Sequence, residues 1–422
     1  LAASLQEALE EIALHVIRHH REATGLRNLC LSGGVAHNCT MNGKVMYSGM
    51  FDQIFVQPAA HDAGCALGAA LLASHGAGHA TPVKQIDHVY WGTDIGGDQE
   101  VLAELERWSA FLSFEKSPNI AQETARLMAD GAVVGWVQGR SEFGPRALGN
   151  RSIVADPRPA ENKSRINAMV KKREGYRPFA PSVLEEDARE FFELPDGMDV
   201  FPFMIFVVNV REDKRSLLGA ITHIDGTARL QTVARDANVR YWELIKAFKE
   251  ITGVPVLLNT SFNNNVEPIV DSVEDSIVSF LTTGLDYLVV GDYLAKKRNP
   301  SWEDRISLNV SLPPYVTLHR SRNFINSTEM AVQSEVGTSY DSQIRVPISN
   351  ELCDLLMTLD GKKQVRELFA DGGLKGEQQE ALMKELENLQ VQRLVALRPA
   401  DAGRAIDSVN RRHSRKSTAS TR

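Results

Sequence analysis

Ten Lys and Arg stand against four Asp and Glu in the 38 residues from Arg140 to Arg177, RSEFGPRALGNRSIVADPRPAENKSRINAMVKKREGYR, within a 422-residue chain of net charge −7. Glycine, proline and asparagine interrupt the stretch throughout. A solvated helical face, the bland alternative, would alternate charge sign at helical spacing. Arg140, Arg146, Arg151, Lys172, Arg173 and Arg177 instead sit beside turn formers, which suits loops converging on a small polyanion. Arginine forks and exposed backbone N–H groups are the usual means of holding phosphate and carboxylate oxygens. A pI near 5.9 and the lack of interleaved aromatics argue against nucleic acid as the partner.

Four further clusters carry candidate chemistry. Ser32-Gly33-Gly34 follows a short apolar run, where glycines let backbone approach a phosphate, although a tight turn has the same composition. In His61-Asp62-Ala63-Gly64 the aspartate suits a metal ligand or, more commonly, a helix cap. Thr222–Thr232 and Val256–Asn263 each bring several hydrogen-bonding side chains onto a strand and its loop, the ligand-binding position of α/β domains. His15 and His19 are spaced i, i+4, as chelating pairs are, but they flank an amphipathic helix, no acidic third ligand is placed by the sequence and His20 is adjacent, so they read as solvent-edge histidines. No Walker A, GxGxxG or GxSxG pattern occurs, nor an evident Ser or Cys nucleophile with a base, so activation through an anhydride fits better than covalent catalysis.

The elements that must position these residues alternate. Leu5, Leu9, Ile12 and Val16 predict a helix over about 3–24, and Asn28–Leu31 and Gln53–Gln57 read as strands with a helical stretch between. A small-residue helix follows at Cys65–Ala73, completing what looks like half of an α/β layer in residues 1–80. Residues 81–100 read as a linker. A second α/β domain spans 101–300, with strands at Ala132–Val137, Ile153–Val154, Met204–Val210, Val254–Leu258 and Tyr287–Val290. Its helices are expected at Ile120–Asp130, Asn162–Val170, Tyr241–Ile251 and Asp271–Leu281. Residues 301–345 read as an irregular connector. A small winged-helix-like module follows at 346–400, capped by Ser349 and ending in a β wing at Leu394–Leu397. A basic tail at 401–422 has the composition of a disordered segment.

Hydrophobic content of 43% and charged content of 24% are ordinary for a globular protein, and no run of about 18 apolar residues exists to span a membrane. The start lacks the pattern of a signal peptide, and four scattered cysteines read as free thiols in a reducing, cytoplasmic setting. A first residue of Leu and half a layer before the linker predict a fragment, or a chain completed by a separate polypeptide supplying the N-terminal half.

LSGGVAHN, HDAGCALGAAL, GRSEFGPRALGNRSIVADPR, VKKREGYRPFAPSV, HIDGTARLQTV and VPVLLNTSFN, in this order over roughly residues 3–300, closely resemble the O-carbamoyltransferases of the nodulation and antibiotic-tailoring type, nearest to the nodulation-factor branch. The resemblance implies an actin-like (ASKHA) ATPase-fold domain, here partial, followed by a YrdC-like domain. It further implies that carbamoyl phosphate and ATP give carbamoyladenylate in the second domain and that the carbamoyl group then passes to a sugar-like hydroxyl in the first. Carried over by motif, Arg146, Lys172 and Arg177 would be catalytic. Arg140, Arg173, Ser182, Arg229, Gln231, Asn259, Ser261 and Asn263 would hold carbamoyl phosphate and nucleotide, with Gly33 and Gly34 facing the adenylate phosphate. Asp62 would ligate Fe2+ or another divalent metal, and Mg2+ would accompany the nucleotide. Preplaced cations, N–H dipoles and a metal suit the charge that develops in such transfers.

Two departures stand out. Asn265-Val266-Glu267-Pro268 replaces the family's Gly before Glu-Pro, and the histidine pair that completes the family's metal site is missing, with His15 and His19 in the wrong place to substitute. Two rivals are a threonylcarbamoyl-adenosine type tRNA-modification enzyme, whose YrdC domain lacks EFGPRALGNRS, and a non-catalytic protein that retains only the binding pocket.

Overall fold

The computed structural model describes residues 1–79, 86–324 and 330–400, which divide into two compact units, 1–297 and 298 onward. The expected basic tail (401–422) and the first part of the expected linker (81–85) lie outside the described residues. No described helix is long and apolar enough to cross a membrane.

The first unit opens with α1 (Ala2–Thr24), closed by Gly25 in the left-handed conformation. Strand β1 (Asn28–Leu31) leads into the Gly33-Gly34 turn, α2 (Cys39–Tyr47) and β2 (Gln53–Val56), which pairs parallel with β1 from Asn28↔Gln53 to Leu31↔Val56. The Asn38 side chain starts α2 by accepting from the Met41 amide. Helix α3 (Gly64–Gly76) follows, then α4 (Asp98–Arg107), β3 (Leu112–Lys116), α5 (Ile120–Ala129), β4 (Val134–Val137), β5 (Arg151–Ala155), α6 (Glu161–Ile166) and β6 (Ala180–Leu184). A short α7 (Ala188–Phe191) precedes β7 (Phe192–Glu193), β8 (Val207–Val210) and β9 (Thr227–Arg229), a small sheet of its own. The unit ends with β10 (Gln231–Val233), α8 (Val239–Thr252), β11 (Val256–Ser261), α9 (Val273–Leu281), β12 (Tyr287–Val290) and β13 (Tyr293–Lys297).

Eight strands form one mixed sheet in the order β10-β6-β11-β5-β4-β12-β13-β3. Its central strands are buried along their whole length, as near-continuous apolar runs require when both faces are covered. The elements expected from the sequence in this unit are found to within about three residues, except that the expected helix Asn162–Val170 is α6 followed by a π-turn over Asn167–Lys171; α4, β3, β6 and β13 lie outside those expectations. The described part of the expected linker is not an open connector either. Phe143 N donates to Val89 O at 2.7 Å, Gly92 N to Ser141 O at 2.9 Å and Ser141 N to Thr93 O at 2.9 Å, so the segment lines the basic loop.

In the second unit, α10 (Trp302–Ile306) and β14 (Asn309–Ser311) precede an antiparallel sheet of β15 (Val316–Phe324), β16 (Met330–Thr338) and β17 (Arg345–Ile348). The segment expected to be irregular is therefore largely ordered strand. Ser349 caps α11 (Asn350–Leu356), and α12 (Val365–Asp371) and α13 (Glu377–Val391) bury Leu352, Leu356, Leu368, Phe369 and Leu386 together with it. The expected β wing is the single strand β18 (Ala396–Arg398), which pairs with β14 and draws the presumed connector into the module.

Candidate functional site

Three neighbouring strands each contribute one buried polar side chain. Ser182 on β6 donates to Gln231 Oε1 on β10 at 2.6 Å. Asn259 Nδ2 on β11 donates to Ser182 Oγ at 3.0 Å, to Gln231 Oε1 at 3.1 Å and to the Ala147 carbonyl at 3.3 Å. Gln231 Nε2 donates to Leu148 O at 2.9 Å, so the triad fastens the basic loop to the sheet. Buried hydrogen bonds are costly to leave half-made. Asn259→Ala should lower unfolding stability by about 2 kcal/mol. An unchanged denaturation midpoint would show that the triad anchors nothing.

The loop itself closes on a carboxylate. Glu142 Oε1 accepts from the amides of Leu148 (2.6 Å), Asn150 (2.8 Å) and Arg151 (3.4 Å), and burial pushes its carboxyl up. Gly149 has φ 111°, and a Cβ there would stand 2.3 Å from the Tyr241 ring, so no other residue fits. Arg151 is fully buried and turns inward, giving its guanidinium to the carbonyls of Thr93, Gln138, Gly139, Asn150 and Asp271 at 2.7–3.2 Å. It is a scaffold for the loop rather than an anion holder. Arg140 is exposed and donates to Trp91 O at 3.1 Å.

Three arginines from different elements do converge. Arg229, at the end of β9, is pushed down to about 10 by burial first and then by the positive charges of Arg146 and Arg173, with Cys39 opposing. Arg173 is likewise held down by burial and by neighbouring Arg177; its Nε donates to Asn167 Oδ1 at 2.7 Å and its guanidinium lies 5.2 Å from the Phe179 ring. Arg146 Nη2 lies 3.6 Å from Cys39 Sγ. The Nε atoms of Arg146 and Arg229 are buried without a hydrogen-bond partner. Clustered cations with unspent donors describe a site shaped for an anion.

Lys171, which the sequence did not single out, enters this site, whereas Lys172 does not. The π-turn ends with Lys172 in the left-handed conformation (φ 46°), exposed, while Lys171 is buried. Lys171 Nζ donates to Asn263 Oδ1 at 2.6 Å, Asn263 O at 2.8 Å and Ser261 Oγ at 3.2 Å. Ser261 Oγ in turn donates to Asn263 Oδ1 at 2.7 Å. Burial, then the charge of Arg173, pushes Lys171 down to about 7, with Glu267 opposing. Arg177 is half exposed and ion-paired with Glu174 at 2.9 Å, at the rim beside Arg173.

The Gly33-Gly34 turn lies at the carboxyl ends of the parallel pair β1–β2. Gly33 (φ 96°) donates its amide to Ala60 O at 2.9 Å, and nothing lies within 4 Å of a Cβ built on either glycine, leaving that backbone open. Asp62 is exposed. His61, named in its motif only beside Asp62, meets His37 here: His37 Nε2 lies 3.1 Å from His61 Nδ1. His37 is held down by burial, by His61 and by Arg146, which ties this turn to the arginine cluster. Among the described residues, no three or more His, Cys, Asp or Glu side chains gather to hold a metal ion. Asp62 alone does not make the metal site that the motif implies; the His37–His61 pair is the nearest nitrogen donor set. His15, His19 and the first unit's two large grooves, about 1150 and 1060 Å3, involve none of these residues.

Comparison with known proteins adds three relatives and two family models. Residues 1–71 match the model described as carbamoyltransferase N-terminus and residues 125–297 that described as carbamoyltransferase C-terminus. The chain is 59% identical to the nodulation protein NolNO of Sinorhizobium fredii, over 97% of this chain and 60% of that protein. It is 58% identical to the nodulation protein NolO of Bradyrhizobium diazoefficiens, over 97% of this chain and 75% of that protein. It is 38% identical to a 3'-hydroxymethylcephem-O-carbamoyltransferase of Amycolatopsis lactamdurans, over 69% of this chain and 52% of that protein. The chain thus spans between about half and three quarters of these relatives' lengths.

Proposed function

We propose, from the premise that this chain belongs to the carbamoyltransferase family, that its first unit makes carbamoyladenylate from carbamoyl phosphate, ATP and water: water takes the phosphoryl group of carbamoyl phosphate, leaving phosphate and carbamate, and a carbamate oxygen then attacks the ATP α-phosphorus, breaking its bond to the pyrophosphate that leaves. The carbamoyl group then passes to a small-molecule hydroxyl with release of AMP. The observation that carries this reading is the convergence of Arg146, Arg173 and Arg229, two of them with buried unpaired Nε donors, beside the Lys171–Ser261–Asn263 cluster. The arginines would hold phosphate oxygens where negative charge accumulates. Lys171, poised near neutrality, would follow the charge of the bound anion. The Ser182–Gln231–Asn259 triad would keep the loop in register. A divalent metal at the Gly33–Asp62 end would need ligands beyond Asp62, His37 and His61 being the nearest nitrogens, and would polarise phosphate or carbonyl oxygens when bound.

The nodulation relatives and the cephem carbamoyltransferase favour a hydroxylated small molecule as acceptor, and we take a sugar-like hydroxyl of a lipochitooligosaccharide type as the substrate class. Transfer to it would need the part of the relatives that this chain does not span, whether tethered or separate. Helix α3 buries no residue and leaves Leu71 and Leu72 57% and 72% exposed, an apolar surface of the kind another α/β layer covers. Mass spectrometry of a chitooligosaccharide incubated with carbamoyl phosphate, ATP and the protein tests acceptor class. A gain of one carbamoyl group when the complementing polypeptide is added, and none with the present chain alone, is the expected result. Carbamoylation by the present chain alone would refute the requirement for that part, and none on any hydroxylated acceptor with the full set would refute the acceptor class.

A further inference from the structure

We infer that His223 is the general base that takes the proton from the water attacking carbamoyl phosphate, held in that role by Thr227 and Asp225; the inference rests on the reaction proposed above. Thr227 Oγ1 donates to Asp225 Oδ1 at 2.7 Å, and the Thr227 amide donates to the same oxygen at 3.1 Å. Burial works against it, but these two bonds hold the Asp225 carboxyl below its ordinary value, so it is ionised. A carboxylate only accepts, and a hydroxyl has a single proton to give. Thr227 Oγ1 therefore meets His223 Nδ1, 2.9 Å away, as an acceptor. That places the ring proton on Nδ1 and the lone pair on Nε2. Nε2 has no hydrogen-bond partner among the described residues, yet it is not sealed from solvent. An imidazole oriented through one nitrogen and free at the other is the arrangement of a general base.

Placement puts this nitrogen at the arginine cluster. His223 and Thr227 close a tight turn: the His223 amide donates to Thr227 O at 2.8 Å and the Gly226 amide to His223 O at 3.0 Å, with Gly226 at φ 80°. Thr227 opens β9 and Arg229 ends it, so their side chains share one face of the strand. Ala228 between them points the other way, into the core. His223 is thus tied to the face of β9 that presents Arg229. Arg215 lies against Gly226 of the turn, with its Nε given to Val210 O at 3.1 Å. Burial holds the His223 imidazole below its ordinary value; Asp225 opposes, and the charges of Arg229 and of Lys163 on α6 add to the depression. It is therefore a neutral base at pH 7, beside cations suited to phosphoryl oxygens. In the step assigned to it, the water oxygen bonds to phosphorus as the bridging P–O bond breaks, and carbamate leaves with that electron pair. The water proton passes to Nε2, inorganic phosphate stays with the arginines, and the imidazolium returns its proton to solvent as phosphate departs.

Release of labelled phosphate from carbamoyl phosphate with ATP present, and exchange of labelled pyrophosphate into ATP, test the assignment on the full chain. Exchange is driven in one arm by carbamoyl phosphate and in the other by ammonium bicarbonate, which holds carbamate in equilibrium and needs no attack by water on phosphorus. His223→Gln should lower phosphate release and carbamoyl-phosphate-driven exchange at least about a hundredfold, the lower end of what a general base supplies, while carbamate-driven exchange falls by less than about tenfold. The acid limb of the pH profile of phosphate release should be absent in that variant. Thr227→Val, which removes the acceptor for Nδ1–H, should lower kcat with KM unchanged, and Thr227→Ser should restore it. Phosphate release that survives in His223→Gln, or equal losses in both arms, would overturn the proposal, the second by marking His223 as structural. No exchange in either arm from the unsubstituted chain would tell against adenylate formation alone, since phosphate release still decides for or against His223.

Discussion

Carbamoyl phosphate binding should fall at least about a thousandfold when Arg229 is replaced by glutamate, since a like charge set against a phosphate in a desolvated site costs several kcal/mol and each 1.4 kcal/mol is tenfold. Arg229 is the most confined of the three converging arginines. Its pKa is depressed to about 10, and its Nε donor is buried and unpaired, so its charge is only partly compensated in the free protein. An anion supplies that compensation; a carboxylate fixed at the same place by Arg229→Glu would close the site from within. The fold should survive loss of its side-chain hydrogen bond to Cys39 on α2. Arg177→Glu is the internal control. Arg177 is half exposed and already paired with Glu174, so its reversal should act mainly through association rate and salt dependence, by roughly tenfold. Calorimetry on both variants, with thermal melts to check folding, decides the ranking. Equal losses would move the anion out to the rim; no loss in Arg229→Glu would remove it from the cluster.

Binding of carbamoyl phosphate at pH 8 should draw a proton from solution, and Lys171→Met should abolish both the uptake and most of the affinity. Lys171 sits near 7 in the free fold against an ordinary value of 10.5. At pH 8 it is mostly neutral, and an anion beside it restores the charged form. Calorimetry in two buffers of different ionisation enthalpy gives the number of protons taken up, which should approach one per site. The same shift has a stability consequence. Between about pH 7 and 10.5 the unfolded chain holds the lysine proton and the folded chain does not, so this residue makes the chain more stable as pH rises through that window, and its contribution is level outside it. In Lys171→Met that slope should vanish. Proton uptake that persists in the variant would assign the titrating group elsewhere.

The sequence located loops that stand at strand ends, but not which side chains within them turn inward. Strand and helix positions followed from apolar periodicity, and the Gly-Gly, His-Asp and Asn-Thr-Ser-Phe-Asn segments do lie at strand ends. Lys171 and Lys172 are adjacent and alike in the chain; only the π-turn, whose extra residue no periodicity announces, decides that the first points inward. Arg151 shares its composition context with Arg146, yet a set of five inward-facing carbonyls claims it for the scaffold. His37 and His61 are 24 positions apart, and their meeting depends on the parallel register of β1 and β2, which spacing alone does not give. The stretch 301–345 looked patternless because its long hairpin alternates polar with polar outside a few apolar positions.

Carbamoyl-phosphate-dependent exchange of labelled pyrophosphate into ATP, measured with no acceptor present, tests the central claim most directly. The account predicts exchange that requires carbamoyl phosphate, proceeds with the present chain alone, and is lost in Arg229→Glu and Lys171→Met. Exchange that is absent from the folded chain, or that runs equally well without carbamoyl phosphate or in both variants, would contradict carbamoyladenylate formation at the arginine–lysine site.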